Sequence, residues 1–153
     1  MKHLLAAVTL LAGLMGLVAL ASPPPAAQAA TLTVGQRILA QAQTRAGDAY
    51  DYGATGPTAF DCSGLVYWAA GRAGLRNWPR DTFDIAAEIG TRFEIVTHPQ
   101  AGDLALWGPV SAPYHVEIVT SPNHSFGAQT YGIPVGGHAD TYFEPSFYLR
   151  ALY

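Results

Sequence analysis

Midway along the chain the hydrophobic pattern changes period, and that change restricts the folds open to it. Up to about residue 90 the apolar residues recur at helical spacing. Thr33-Val34-Gly35-Gln36 reads as a capping box opening a helix that carries Val34, Ile38, Leu39 and Ala42 on one face and ends near Gly47. A second helix is expected from Cys62 or Ser63, burying Leu65, Val66, Ala69 and Ala70 and stopping at Gly71 to Gly74. A short third helix should run from Asp81 or Thr82 to Gly90. Beyond it, β-branched and aromatic runs at 93–96, 103–107, 115–120, 125–129 and 147–152 are separated by Gly, Pro and Asn turns. Helices first and strands afterwards imply an α+β domain, with N-terminal helices packed on a central antiparallel sheet of about five strands.

Composition removes several functional classes. Of 153 residues, 50 % are hydrophobic and 12 % charged, which excludes a disordered, solvating chain. The net charge is −3, so there is no basic surplus to displace counterions from nucleic acid or to hold an anionic membrane. The first thirty residues read as an address. Lys2 and His3 precede an apolar run from Leu4 to Ala21, then Ser22, three prolines and the small-x-small site Ala27-Gln28-Ala29. Residues 1–29 are therefore expected to be a cleaved export signal, with an uncleaved anchor as the alternative. Residues 30–153 would then form one extracytoplasmic domain, a monomer with no stable membrane association.

Export makes the cysteine count informative. Structural cysteines outside the cytoplasm come in pairs, and Cys62 has no partner in the chain. It is either a small buried hydrophobe or a reactive thiol. Asp61-Cys62-Ser63-Gly64-Leu65-Val66 places it where a loop becomes a helix. Unpaired N–H groups and the positive end of the helix dipole stabilise anions there, including an oxyanion formed by attack on a carbonyl. A thiol nucleophile needs a base. Among His98, His115, His124 and His138, His115 is best placed, at the start of the expected strand His115-Val116-Glu117-Ile118-Val119. A half-buried strand histidine with no chemical role fits that spacing as well. No two of these residues share a zinc-type spacing, so neither a metal nor an organic cofactor is expected. Trp68 and Trp107 fall in apolar elements and read as core, whereas Trp78, beside Pro79 and Arg80, is evenly placed between core and cleft.

These segments resemble, in order, those of the NlpC-type cell-wall cysteine peptidases, a compact branch of the papain-like fold. Asp61 to Val66 resembles the nucleophile motif, Tyr50-Asp51-Tyr52-Gly53 the upstream tyrosine-glycine segment, and Trp78 to Thr82 the Pro-Arg segment. Gly102 to Trp107 is similar to the Gly-Asp-Leu strand and His115 to Val119 to the strand of the base. The resemblance implies hydrolysis of an amide in peptidoglycan stem peptides, after D-γ-glutamate and before a diamino acid. It implies Cys62 as nucleophile, His115 as base, Tyr50 beside the thiol, and Asp61 and Ser63 holding the free amine of the peptide. A third residue should orient the base from about a dozen positions further on, where this chain has Gly127. Gln129 is the first substitute, His124 the second and Glu117 the third, with a backbone carbonyl also open. That departure leaves a silent, peptide-binding relative or a hydrolase of another amide or ester as alternatives.

Overall fold

A computed structural model describes residues 31–153, so the expected export signal lies outside the described residues. Helix α1 (Val34–Gln43) starts at Thr33, whose side chain accepts the Gln36 N–H while the Gln36 side chain accepts the Thr33 N–H at 3.0 Å. This reciprocal cap satisfies two of the donors a helix start leaves unpaired. Ile38, Leu39 and Ala42 form its buried face. A two-residue parallel pair, β1 (Ala49–Tyr50) with β2 (Ala59–Phe60), closes the loop leading to α2 (Cys62–Arg72). Asp61 caps α2 through Gly64, and Asp81 caps α3 (Thr82–Ala87) through Asp84.

The second half is one antiparallel sheet. Its strands are β3 (Phe93–Val96), β4 (Leu104–Trp107), β5 (His115–Ser121), β6 (His124–Gly127), β7 (Gly136–Ala139) and β8 (Phe147–Ala151), in the order β3-β8-β4-β5-β6-β7. The α+β class is as expected, but there are six strands in this sheet rather than five. The additional one, β7, is Gly136-Gly137-His138-Ala139, with almost no apolar side chain to produce a two-residue pattern. Pairing with β6 makes it a strand, through Ser125 opposite His138 and Gly127 opposite Gly136.

The helices cover one face of the sheet. Leu104 and Leu106 of β4, Val116 and Ile118 of β5, Phe126 of β6 and Leu149 of β8 pack with Ile38, Leu65, Val66 and Ile85 in a single core. Each such side chain contributes roughly 1.5–3 kcal/mol on burial. Alternation along the strands sends Ala105, Trp107 and Val119 to a second, smaller cluster on the opposite face. His115 and Glu117 share that parity with Val119. Trp78 belongs to the core, edge-on to Phe93 and stacked on Tyr153. Asp103 anchors the turn before β4, accepting the Gln100 N–H at 2.8 Å and both arms of Arg150 at 2.7 and 3.0 Å. Among the described residues no helix is long and apolar enough to cross a membrane.

The start of α1 rests directly on the backbone of the turn before β4. A Cβ at Gly35 would collide with the carbonyl of Gly102, itself a glycine at φ +97°. Gly35→Ala is therefore expected to cost about 1–3 kcal/mol through forced backbone movement, read as a lower midpoint in urea. An unchanged midpoint would show that α1 can lift off the sheet freely.

Candidate active site

Cys62 is the first residue of α2, partly buried against the core and not disulfide-bonded. Asp61 fixes its position. One Asp61 oxygen accepts the Gly64 N–H at 2.5 Å and the other accepts the Gly53 N–H at 2.9 Å. The carboxylate thereby joins the helix start to the loop after β1. Helix geometry leaves the N–H groups of Cys62 and Ser63 without intrahelical acceptors, beside the thiol. Cys62 opens into a cleft of about 1010 Å³ that is also lined by Tyr50, Asp61, Ser63, His115 and Gln129.

His115 begins β5, directly across from Trp107. Its imidazole is hydrogen-bonded to Glu117 on one side and lies close enough to Cys62 for the thiol to shift its titration. Nε2 lies 3.1 Å from Glu117 Oε1, which leaves Nδ1 free for the thiol. The indole of Trp107 packs against the ring, with centroids 5.1 Å apart. Burial alone would lower the His115 pKa. The hydrogen bonds to Cys62 and Glu117, with the charges those groups carry, outweigh it and raise the value to about 9. The imidazolium is thus the stable form through neutral pH.

The residue behind the imidazole is Glu117, not Gln129. Gln129 lies on the cleft wall and, among the described residues, no hydrogen bond joins it to His115. The alternation expected to carry it onto the Gly127 face fails because β6 ends at Gly127. His124 points away, its Nδ1 against the Pro122 carbonyl in the hairpin turn. Spacing of Cβ atoms argues against a bond between residues i and i+2, yet two methylenes on Glu117 and the far nitrogen of the ring span the gap. Room for that reach comes from Gly127: a Cβ there would overlap Cγ of Glu117 and stand 2.7 Å from its Cδ. The glycine in the slot of the expected third residue is the space that the Glu117 side chain occupies.

The remaining expected residues are also at the cleft, in different circumstances. Tyr50 packs edge-on against Tyr131, and burial first, then the neighbouring Cys62 and Asp61, raise its pKa, keeping the phenol a donor. Asp61 and Ser63 are buried and already engaged. Arg80 donates to Asp61 at 2.9 Å and to Ser63 at 3.0 Å, so these two hold the cleft wall together before any ligand arrives. The sequence did not single out Arg80 itself, although its guanidinium lines the cleft. Trp107, expected in the core, forms cleft wall as well, while Trp78 does not reach the cleft. Gly127→Ala should displace Glu117 from the imidazole. The expected result is a loss of about 1–3 kcal/mol in stability together with a His115 titration midpoint well below about 9, observable by NMR of the ring.

The NlpC/P60 family model matches residues 47–150. A probable endopeptidase of Corynebacterium glutamicum is 39% identical over 119 residues, covering 77% of this chain and 54% of its own length. The chain thus spans about half the length of that relative. The crystal structure of the NlpC/p60 domain of the peptidoglycan hydrolase SagA superposes with a TM-score of 0.67 at 28% identity, covering 76% of this chain and 97% of that one. RipD of Mycobacterium tuberculosis, a non-catalytic NlpC/p60 domain protein adapted to peptidoglycan binding, has the same fold at 19% identity, with a TM-score of 0.61 over 80% of this chain and all of that one. By the family match and by its nearly two-fifths identity to the corynebacterial protein, the chain belongs to the NlpC/P60 family, with the papain-like α+β fold of its members.

Proposed function

We propose that the protein is an extracytoplasmic cysteine endopeptidase that hydrolyses an amide in peptidoglycan stem peptides, the bond between D-γ-glutamate and a diamino acid such as meso-diaminopimelate. One observation carries this reading: an imidazole held between the thiol of Cys62 and the buried carboxylate of Glu117 inside a cleft. The relatives named as endopeptidases and peptidoglycan hydrolases support the substrate class. Residues 1–29 would direct export and be removed. A monomer suffices, because every residue invoked below lies in one chain.

In the working state Cys62 is a thiolate paired with the His115 imidazolium. Sulfur attacks the amide carbonyl carbon, and its electron pair moves onto oxygen. The N–H groups at the start of α2 and the Tyr50 hydroxyl stabilise that oxyanion. His115 then gives its Nδ1 proton to the leaving nitrogen, the C–N bond breaks, and a thioester and a free amine result. Water attacks the thioester while His115 takes its proton, and collapse releases the new carboxylic acid and restores the ion pair. Glu117 holds the ring in the tautomer and orientation that both halves require, the task a carboxylate performs behind histidine in other hydrolases. Asp61 and Ser63, fixed by Arg80, shape the wall that receives the amine end of the peptide.

Incubation with a purified stem peptide should release a fragment ending in D-glutamate, identified by mass. Cys62→Ala or His115→Ala should lower kcat/KM by at least about 10³-fold. If Cys62→Ala cleaves as well as the parent, the reading fails. Binding of the peptide without release in the parent would instead assign the chain to a silent, binding role.

The titration of His115 sets the pH dependence. Its charged form is favoured in the folded state, so the proton needed by the leaving group is present at neutral pH and is lost as pH rises through about 9. The same ion pairing contributes stability below the ordinary value of 6.5, and that contribution also vanishes above about 9. An alkaline limb near pH 9 is expected in kcat/KM. Glu117→Gln should move the limb to lower pH and reduce kcat on the order of 10²–10⁴-fold.

A further inference from the structure

Hydrogen bonding continues behind Glu117. On the neighbouring strand, Ser125 Oγ lies 2.6 Å from Glu117 Oε2 and 2.7 Å from Asp140 Oδ1, and all three residues are buried. A hydroxyl has one proton, and an ionised carboxylate can only accept. With both carboxylates ionised, one of these contacts would be two oxygens at hydrogen-bond distance with no hydrogen between them. A second proton must therefore reside on one of the two carboxyl groups. Two imidazoles approach Glu117, His115 at 3.1 Å and His138 at 4.0 Å. The anion belongs beside the His115 imidazolium, and the proton belongs on Asp140.

We propose that Asp140 is a carboxylic acid in the working protein, donating to Ser125, which in turn donates to Glu117, so that Asp140 and Ser125 are positioning residues for the His115–Glu117 pair. The inference rests on the role given above to His115 and Glu117. The order of donors is Asp140 O–H to Ser125 Oγ, Ser125 O–H to Glu117 Oε2, and His115 Nε2–H to Glu117 Oε1. Every lone proton then has an acceptor, and Glu117 receives a hydrogen bond on each oxygen. Such a carboxylate cannot rotate away from the ring or take the ring's proton without breaking a bond on its other side. The fold holds the relay at both ends. Asp140 opens the 3₁₀ turn (Asp140–Tyr142) after β7, and its own N–H donates to the Asn123 carbonyl at 2.9 Å.

The surroundings of Asp140 agree with this protonation. Burial raises its pKa, the Ser125 hydrogen bond lowers it, the Glu117 charge on β5 raises it, and His124 of β6 and His138 of β7 lower it; the net shift is upward. Tyr148 of β8 faces the same group, and burial first of all shifts its hydroxyl upward, so it adds no charge beside the acid. The acid is thus maintained by its place between a buried carboxylate and the sheet, and two weakly basic rings only moderate it.

Carbon-13 NMR of aspartate carboxyl groups in the full protein tests the proposal without any substitution, Asp140→Asn serving to assign the resonance. Asp140 should keep its acid signal at neutral pH, where an ordinary aspartate is ionised. An Asp140 carboxyl already ionised at neutral pH overturns the proposal. Variants provide the second arm. Asp140→Ala and Ser125→Ala should lower the His115 midpoint from about 9 and reduce kcat about 10–100-fold with little change in KM. Asp140→Asn, whose amide N–H stands in for the acid O–H, should recover the midpoint that Asp140→Ala loses. If Asp140→Asn behaves like Asp140→Ala, an anion is required at this position and the relay is wrong. The carboxyl and ring titrations need no peptide substrate, so they decide the relay even if Cys62→Ala shows that the peptidase reading is false.

Discussion

A carboxylate sealed inside a protein must find positive charge and donors or lose its ionisation, and Glu117 is sealed completely. Its position determines much of the cleft. It draws His115 to one oxygen and Ser125 to the other, and it requires glycine at 127 on the adjacent strand. The imidazole so fixed has one nitrogen left, Nδ1, to serve Cys62. Loss of the carboxylate would leave a buried ring with only Cys62 opposing the effect of burial on its proton.

The frame around this pair divides the work between two kinds of element. A helix start provides the thiol with fixed backbone donors, and Asp61 ties that start to the preceding loop and to Arg80. A central strand provides the imidazole, with neighbours on both sides to hold its register. Strand alternation separates the two tasks of β5: Val116 and Ile118 go to the core that stabilises the domain, and His115 and Glu117 to the face that carries the site. Packing and chemistry can therefore change independently along the same seven residues.

Local patterns made much of the architecture legible. The Thr33 capping box, the helical spacing up to Ile89 and the short runs separated by glycine and proline are all signals contained within a few residues, and each became the expected element. Strand β7 carried no such signal, because a Gly-Gly-His-Ala run has no apolar face and exists as a strand only beside β6. The even reading of Trp78 resolved to core, and Trp107, buried as expected, also forms cleft wall, for a related reason. Both are large and apolar, and which side of the sheet each one meets depends on tertiary packing rather than on its own flanks.

From the sequence alone came the α+β order, the lone thiol at a helix start and the histidine at the head of a strand, because each depends on neighbours close in the chain. Gly127 was visible there as a gap, and counting along the chain pointed past it to Gln129. Which side chain fills the gap was decided only in three dimensions, where β5 and β6 lie side by side and Glu117 occupies the volume that Gly127 leaves empty. The single hydroxyl between Glu117 and Asp140 joins three different segments. Distances across a sheet have no counterpart in residue spacing, so the site's outer hydrogen bonds could be found only once the strands were paired.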